Sequence, residues 1–184
     1  MRDEVIWITG ASSGIGEELA KQYAKRGSKL ILSARRKTEL ERVRNSCLNS
    51  NKIEIVPLDL TDFSDLPNKV EEAKQCFGTI DLLINNGGVS QRSLIMDTNF
   101  DVYKQLVDIN YLGTVALSKA LLPHFIERQQ GHFAVVTSVM GKYGSPFRSG
   151  YAGAKHALHG FFDVLRMEHQ KDNISVSLLC PGFV

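Results

Sequence analysis

A glycine-rich stretch near the start of the chain constrains the possible fold more than any other part of the sequence. It comprises residues 9–16, TGASSGIG, and follows the apolar run VIWI at residues 5–8. The apolar run predicts a buried strand, and Ile15, Leu19 and Tyr23, spaced at i, i+4 and i+8, predict a helix after it. The glycines therefore lie on a strand-to-helix turn, where a residue without a Cβ adopts angles closed to others.

A turn of this kind is suited to binding a dinucleotide. The helix that follows it presents unpaired N–H groups and a partial positive charge at its N-terminus, and both favour a pyrophosphate. The spacing is Gly-x-x-x-Gly-x-Gly, which differs from the general Gly-x-Gly-x-x-Gly fingerprint but works by the same mechanics. Taken alone, the stretch also fits a tight strand-to-helix connection that binds nothing.

Length, charge and cysteine content narrow the class of protein. We expect residues 1–184 to form a single domain, and a net charge of 22 − 20 = +2 gives no indication of a nucleic-acid partner. The three cysteines are odd in number and widely spaced, and neither they nor the histidines form a metal-ligand pattern. No signal peptide or membrane-spanning run is evident. These features favour a cytoplasmic chain without a metal.

Apolar runs alternate with helical patterns along the whole chain. Strands are predicted over residues 29–34, 53–58, 80–85, 132–138 and 174–180, and helices over 38–49, 67–77, 99–122 and 150–170. Thr38 and Glu41 form a capping-box signal for the first of these helices, and Pro123 is expected to end the third. This alternation predicts an α/β fold, a doubly wound parallel sheet of the Rossmann type with helices on both faces.

In such a sheet, ligands bind beyond the carboxyl ends of the strands. The residues of chemical interest collect at those ends: Gly10, Arg35, Asp59, Asn86, Ser138 and Pro181-Gly182. Tyr151 and Lys155 are at i and i+4 and so share one helix face. An ammonium beside a phenol favours the phenolate, so Tyr151 becomes an acid/base for a carbonyl or alcohol. The alternatives are a solvated helix pair for Tyr151 and Lys155 and a strand-end cap for Ser138.

In order and spacing, these motifs resemble the short-chain dehydrogenase/reductase family over essentially the whole chain. The matching features are the residue 9–16 turn, Asp59, Asn85-Asn86-Gly87-Gly88, Asn110, Ser138, Tyr151-x-x-x-Lys155 and Pro181-Gly182. Residues 85–114 are most similar to the dehydrogenase/reductase member-seven-like branch, whose members are often membrane-anchored. Gly87 replaces the alanine that is usual in the family.

The resemblance implies an oxidoreductase that moves a hydride between a nicotinamide and a carbonyl or secondary alcohol. It implies four catalytic residues: Asn110 as anchor of a relay water, Ser138 as ligand of the substrate oxygen, Tyr151 as acid/base and Lys155 as its activator and ribose ligand. The implied cofactor-binding residues are Gly10, Ser12, Ser13, Gly14, Ile15, Gly16, Arg35, Arg36, Asp59, Leu60, Asn86, Gly87, Gly88, Tyr151, Lys155, Pro181 and Gly182. Residues 89–92 and 139–143 are expected to line the substrate pocket, with Ser138, Met140, Tyr143 and Tyr151 as contacts.

The residues after the second strand predict the cofactor. Members of the family that prefer NAD carry an acid there, whereas this chain reads Ser33-Ala34-Arg35-Arg36 and has its first acid at Glu39. An arginine pairs well with a 2′-phosphate. We therefore expect NADP(H) rather than NAD(H), with Arg35 as the main contact, supported by Arg36 or Ser12.

The family also implies a continuation after residue 184: lid helices over the substrate and a seventh strand. We therefore expect this chain to be C-terminally truncated, with an open sheet edge and an incomplete pocket wall. One alternative function is then a cofactor-binding module or scaffold without turnover. A sugar-nucleotide epimerase fits less well, because its glycine spacing and longer substrate domain are not found here. The resemblance further implies a homo-dimer or homo-tetramer of the full-length form.

Overall fold

Six parallel strands form the centre of the molecule in the computed structural model, which describes residues 4–182. Their order across the sheet is β3-β2-β1-β4-β5-β6, and every neighbouring pair is parallel. The chain therefore winds outward in one direction from β1 and then in the other from β4, which confirms the predicted doubly wound sheet. The strands are β1 Val5–Thr9, β2 Lys29–Ser33, β3 Ile53–Ile55, β4 Leu82–Asn85, β5 Gly131–Val136 and β6 Ile174–Leu179.

Helices connect successive strands and cover the sheet. They are α1 Gly14–Lys25, α2 Lys37–Ser46, α3 Leu66–Phe77, α4 Phe100–Val107, α5 Gly113–Arg128 and α6 Ser149–Glu168. A π-helical turn, Asp108–Leu112, joins α4 to α5 without a break in the helical path. Among residues 4–182, no helix is both long and apolar enough to cross a membrane.

Side chains of the strands alternate between two hydrophobic cores, one on each face of the sheet. Trp7, Ile31 and Phe133 belong to the core that α3, α5 and α6 cover, whereas Ile8 and Leu32 belong to the core under α1 and α2. Because both faces of β1 and β2 are buried, these strands are continuous apolar runs rather than alternating ones. The sheet is thus fixed from both sides, and its carboxyl-terminal edge is a rigid base for loops.

The prediction that Pro123 ends a helix is wrong, because α5 continues through it to Arg128. Pro123 is exposed, and the turn after it is held by tertiary contacts. Phe125 is fully buried, His124 Nε2 accepts from the Ile80 N–H, and Arg128 Nη2 binds Asp81 Oδ1 at 2.6 Å. These contacts outweigh the backbone hydrogen bond that a proline removes.

The capping box predicted at Thr38 is also not formed. Helix α2 begins one residue earlier, at Lys37, with Arg36 as its N-cap and no side-chain cap bond. The acid in the first turn of α2 is Glu39, and it accepts from Arg42 Nε at 2.9 Å in an ion pair along the helix.

Replacing each of two helical glycines by alanine should change stability in opposite directions. A Cβ on Gly113, at the start of α5, would lie 2.3 Å from the carbonyl oxygen of Leu60, whereas a Cβ on Gly160 in α6 meets nothing within 4 Å. We expect Gly113→Ala to lower the free energy of unfolding by about 2 kcal/mol through overpacking. Gly160→Ala should raise it by roughly 0.5 kcal/mol or more, because alanine is the better helix former.

Urea denaturation of the two variants beside the parent protein measures both effects. Equal stability of Gly113→Ala and the parent would show that α5 is free to shift away from the loop that contains Leu60.

Candidate active site

A clamp of polar contacts joins the carboxyl ends of β1 and β4, the point at which the chain changes its winding direction. The Thr9 hydroxyl accepts from the N–H groups of Asn86 and Gly87, each at 3.0 Å, and donates to the carbonyl of Ile84 at 3.3 Å. Asn86 Nδ2 returns two hydrogen bonds, to the carbonyls of Thr9 and Gly10 at 3.1 and 3.2 Å. The two loops of the site are therefore held against each other.

The glycines of the turn make this close approach possible. Gly10 has φ +63°, and a Cβ there would lie 2.8 Å from the Cα of Gly87. A Cβ on Gly16 would lie 2.3 Å from the carbonyl oxygen of Gly10. Gly10 thus needs its freedom both for the left-handed conformation and for contact with the loop after β4, and Gly16 lets α1 pack against the turn.

Two adjoining cavities open at this edge of the sheet, with Asn86, Gly88 and Val89 in the walls of both. The first cavity has a volume of about 350 Å³ and is bounded by the glycine-rich turn and by the ends of β2 and β3. The predicted residues that line it are Gly10, Ser12, Ser13, Arg35, Arg36, Asp59, Leu60, Asn86, Gly87 and Gly88.

The second cavity, of about 310 Å³, lies at the ends of β5 and β6 and beside the first turns of α6. The predicted residues that line it are Ile15, Asn86, Gly88, Ser138, Met140, Tyr151, Lys155, Pro181 and Gly182. The fold therefore brings together residues from five separated parts of the sequence at one end of the sheet.

A few predicted residues lie elsewhere. Gly14, with φ +57°, and the buried Gly16 shape the turn and the start of α1 but are absent from the walls of both cavities. Asn110 is fully buried behind Val89, and Tyr143 is 60% exposed, outside the walls formed by the described residues.

Lys155 is the most unusual titratable group of the site. Its side chain is 5% exposed, and its ammonium donates to the carbonyl of Val136 at 2.8 Å. Burial lowers the pKa of Lys155 from 10.5 to about 8, since the charged form loses its water. Its Nζ lies 5.7 Å from the centre of the Tyr151 ring, so the cation and the phenol share the second cavity.

Ser138 follows β5 at the same rim. It is 7% exposed, and its hydroxyl oxygen accepts from the Met140 N–H at 3.1 Å. This local bond is the strand-end cap that sequence reasoning kept as an alternative. The hydroxyl hydrogen makes no hydrogen bond with residues 4–182, so Ser138 keeps a donor for a group in the cavity.

Asn110 lies in the π-helical turn and binds the loop after β4. Its Oδ1 accepts from the Val89 N–H at 2.8 Å, and its Nδ2 donates to the Val89 carbonyl at 2.9 Å. This pair of bonds fixes the backbone beside Gly88, where a Cβ would lie 2.7 Å from Asn110 Oδ1 and 3.8 Å from Lys155 Nζ. The expected role of Asn110 as anchor of a relay water stays a prediction.

Arg42 organises the other end of the site and was not identified from the sequence. Its Nη2 donates to the Ser12 carbonyl at 3.0 Å and to Glu17 Oε2 at 2.8 Å, and its Nε donates to Glu39. The hydrogen bonds from Arg42 and Lys21 lower the pKa of Glu17 to about 2. Arg42 therefore engages both Glu17 and Glu39. Only the sequence separation of three between Glu39 and Arg42 hinted at the pair.

Arg148, at the start of α6, was also missed by sequence reasoning. Arg148 lines the second cavity and binds Ser90 Oγ and, at 2.6 Å, the Gln91 carbonyl. Gln91 is 5% exposed, and its Oε1 accepts from the Gly150 N–H at 3.0 Å. Val89, Ser90 and Met140 line the cavity as expected for their segments, but Gln91 supports it from behind. The position of Arg148 three residues before Tyr151 was the available signal.

Within residues 4–182, no group of three or more histidine, cysteine, aspartate or glutamate side chains is placed to hold a metal ion.

Comparisons with known proteins agree with this geometry. The short chain dehydrogenase family model matches residues 4–184. The chain is 52% identical to human dehydrogenase/reductase SDR family member 7 and 42% identical to mouse member 7B. These alignments cover 99% and 100% of this chain but only 56% and 58% of those relatives. The chain thus spans little more than half the length of the curated relatives it matches.

Solved structures show the same fold. A short-chain dehydrogenase from Streptomyces avermitilis superposes with a TM-score of 0.92 at 28% identity, over 98% of this chain and 66% of its own. The F189W variant of actinorhodin polyketide ketoreductase, solved with NADPH, superposes with a TM-score of 0.94 at 26% identity, over 99% and 71%. The family model, the relatives and the fold together show that this chain belongs to the short-chain dehydrogenase/reductase family of oxidoreductases.

Proposed function

We propose that this chain is the cofactor-binding and catalytic part of an NADP(H)-dependent oxidoreductase that acts on a carbonyl or secondary alcohol. The observation that supports it most is the second cavity, in which Ser138, Tyr151 and Lys155 meet beside the glycine-rich turn. A bound nicotinamide would supply or accept the hydride there. Residues 1–184 are proposed to act as one dinucleotide-binding domain of a longer protein.

The residues present fit a dinucleotide that spans both cavities. Ser13, the N-cap of α1, makes no side-chain cap bond, so the first N–H groups of that helix stay available to a pyrophosphate. Gly88 has no side chain, so the space between its backbone and Lys155 Nζ, which a Cβ would fill, is open to a ribose. Asp59 and Leu60 line the outer part of the first cavity, where the adenine is proposed to bind.

In the proposed chemistry, Tyr151 donates a proton to the carbonyl oxygen, or accepts one from the alcohol. The buried Lys155 ammonium, which donates to the Val136 carbonyl, stabilises the phenolate that Tyr151 forms when it gives up its proton. Ser138 donates a hydrogen bond to the substrate oxygen and holds it toward Tyr151. Each group is thereby positioned by the rigid edge of the sheet or by the first turns of α6.

Two arginines support NADP(H) over NAD(H). Arg35 and Arg36 follow β2 and line the first cavity, both are exposed, and neither pairs with an acid among residues 4–182. Glu39, the first acid after β2, is held by Arg42 and so is a poor acceptor for ribose hydroxyls. Free guanidinium groups favour a 2′-phosphate at this position.

The alternative function is a module that binds the cofactor without turnover. The relevant observation is that β6 lies at the edge of the described sheet and alternates in exposure along its length. The chain spans only 56% of the length of human dehydrogenase/reductase SDR family member 7, and a part of that length fits a module that binds the cofactor.

A homo-dimer or homo-tetramer of the full-length protein is part of the proposal, as is a small-molecule carbonyl or alcohol as substrate and a cytoplasmic location. Exposed apolar side chains along α4 and the π-helical turn support self-association: Phe100, Val107 and Leu112. A monomeric mass by light scattering on a full-length form would reject this part of the proposal.

Turnover is tested by following NADPH oxidation with a panel of aldehydes and ketones. Tyr151→Phe should bind NADPH as the parent does but lose activity by roughly a hundredfold or more, because the general acid is removed. Tyr23→Phe, near the C-terminal end of α1 and outside both cavities, should keep full activity. NADPH binding without oxidation across the panel would favour the module without turnover.

Cofactor choice is tested by fluorescence titration with NADPH and NADH. Arg35→Ala should weaken NADPH binding by roughly tenfold or more and leave NADH unchanged, because one charge-assisted contact to the 2′-phosphate is lost. Lys37→Ala is the matched control, since this neighbouring cation is exposed and lies outside the first cavity. Equal affinity of the parent protein for both cofactors would reject NADP(H) selection.

The buried lysine predicts a pH dependence of stability. Because the pKa of Lys155 falls from 10.5 to about 8 on folding, the unfolded chain binds a proton between these values that the folded protein does not. The contribution of this group to the free energy of unfolding therefore rises with pH across that window. The stability of the parent relative to Lys155→Met should accordingly improve between pH 7 and pH 10.

Urea denaturation of both proteins at several pH values measures the difference, in which groups common to both cancel. A difference that stays constant across this range would mean that the ammonium is hydrated in the folded state.

A further inference from the structure

The second cavity has a one-sided charge. Among the described residues, its walls contain two basic side chains, Arg148 and Lys155, and no carboxylate. Lys155 is accounted for by its bond to Val136 and its place beside Tyr151. Arg148 has no role in the chemistry proposed above, although it lines the same cavity as Tyr151 and Ser138.

Arg148 is partly buried and pairs with no carboxylate among the described residues. Arg128, which is also partly buried, pairs with Asp81 at 2.6 Å, and the exposed Arg42 and Arg166 pair with carboxylates within 3 Å. Arg148 instead binds two neutral acceptors through Nη1 alone, Ser90 Oγ and the Gln91 carbonyl. Its Nε and Nη2 donate to nothing in residues 4–182, so the guanidinium retains its charge and most of its donors for a ligand.

The surroundings hold this guanidinium in place. Gln91, buried beneath it, accepts from the Gly150 N–H and so ties the loop after β4 to the first turn of α6. Arg148 is itself the N-cap of the twenty-residue α6 and has no side-chain cap bond. The partial positive charge of that helix end therefore adds to the charge of the arginine at the cavity.

We propose that Arg148 is a specificity-determining residue that selects substrates with a carboxylate, or another anionic group, attached to the molecule that contains the reacting carbonyl. This inference rests on the proposed function, in which Tyr151 and Ser138 hold the carbonyl oxygen in the same cavity. A fork of guanidinium donors matches a carboxylate in geometry as well as in charge. The cofactor phosphates are a poorer match, because the glycine-rich turn that would bind them lines the first cavity, and Arg148 does not.

The test uses matched aldehydes: 3- and 4-formylbenzoate and their neutral methyl esters. Ligand-observed NMR gives their affinities for the protein, alone and with NADPH, and NADPH oxidation gives kcat/KM. We expect one acid isomer to bind the parent roughly tenfold tighter than its ester. Arg148→Gln should remove that preference by weakening the acid alone, and the affinity for NADPH should not change.

Two variants separate recognition from mere support of the loop. Arg92→Gln removes an exposed cation from the same loop, outside the walls of the second cavity, and should keep the preference for the acid. Ser90→Ala removes one anchor of Arg148 but leaves its charge, and should keep the preference too. Equal binding of acid and ester to the parent, or an equal loss of both in Arg148→Gln, would overturn the inference.

The two readouts also distinguish the inference from the proposed function. An acid that binds through Arg148 but is never reduced would support the inference on the site and count against turnover by this chain. Reduction of acid and ester with the same kcat/KM would support the oxidoreductase and overturn the selection by Arg148.

Discussion

The hydroxyl of Thr9 connects the two halves of the sheet at the point on which every other part of the site depends. It accepts hydrogen bonds from two N–H groups of the loop after β4, and the Asn86 side chain donates to two carbonyls at the end of β1 and in the turn after it. Parallel strands that wind in opposite directions leave a crevice at this point, and its two walls have no covalent link nearby. The clamp sets the width of that crevice, and the absent side chain of Gly10 permits so close an approach.

Beyond this clamp, a second set of hydrogen bonds holds the rest of the loop after β4. The Asn110 side chain hydrogen-bonds both the N–H and the carbonyl of Val89. Asn110 lies in a π-helical turn, where the helix is locally widened. Further along, Gln91 ties the same loop to the start of α6. The loop is thus fixed in succession to β1, to the π-helical turn and to α6. The helix that positions Tyr151 and Lys155 is held in register with the glycine-rich turn through backbone contacts of a single segment.

The sequence predicted the strands, the doubly wound sheet and the grouping of most site residues, because these follow from apolar runs and from the rule that parallel strands end at one edge. The helix end predicted at Pro123 was wrong. The packing of Phe125 and the pairing of Arg128 with Asp81 are long-range contacts, and local helix propensity carries no information about them. Arg42 and Arg148 were missed for a related reason. Neither belongs to a motif, and each acts by contacting segments distant in sequence.

Burial of Lys155 shows why the site needs this supporting framework. An ammonium with one carbonyl partner and little water would relax toward solvent if the surrounding loops were mobile, and its pKa would return toward the ordinary value. The loop after β4, bonded to β1, to the π-helical turn and to α6, prevents this relaxation, so the cation stays beside the phenol of Tyr151. Arg148 is less enclosed, and its guanidinium is held by two neutral acceptors, so no described carboxylate balances its charge. A cavity with these two cations, and with no carboxylate among the described residues of its walls, is suited to an anionic ligand.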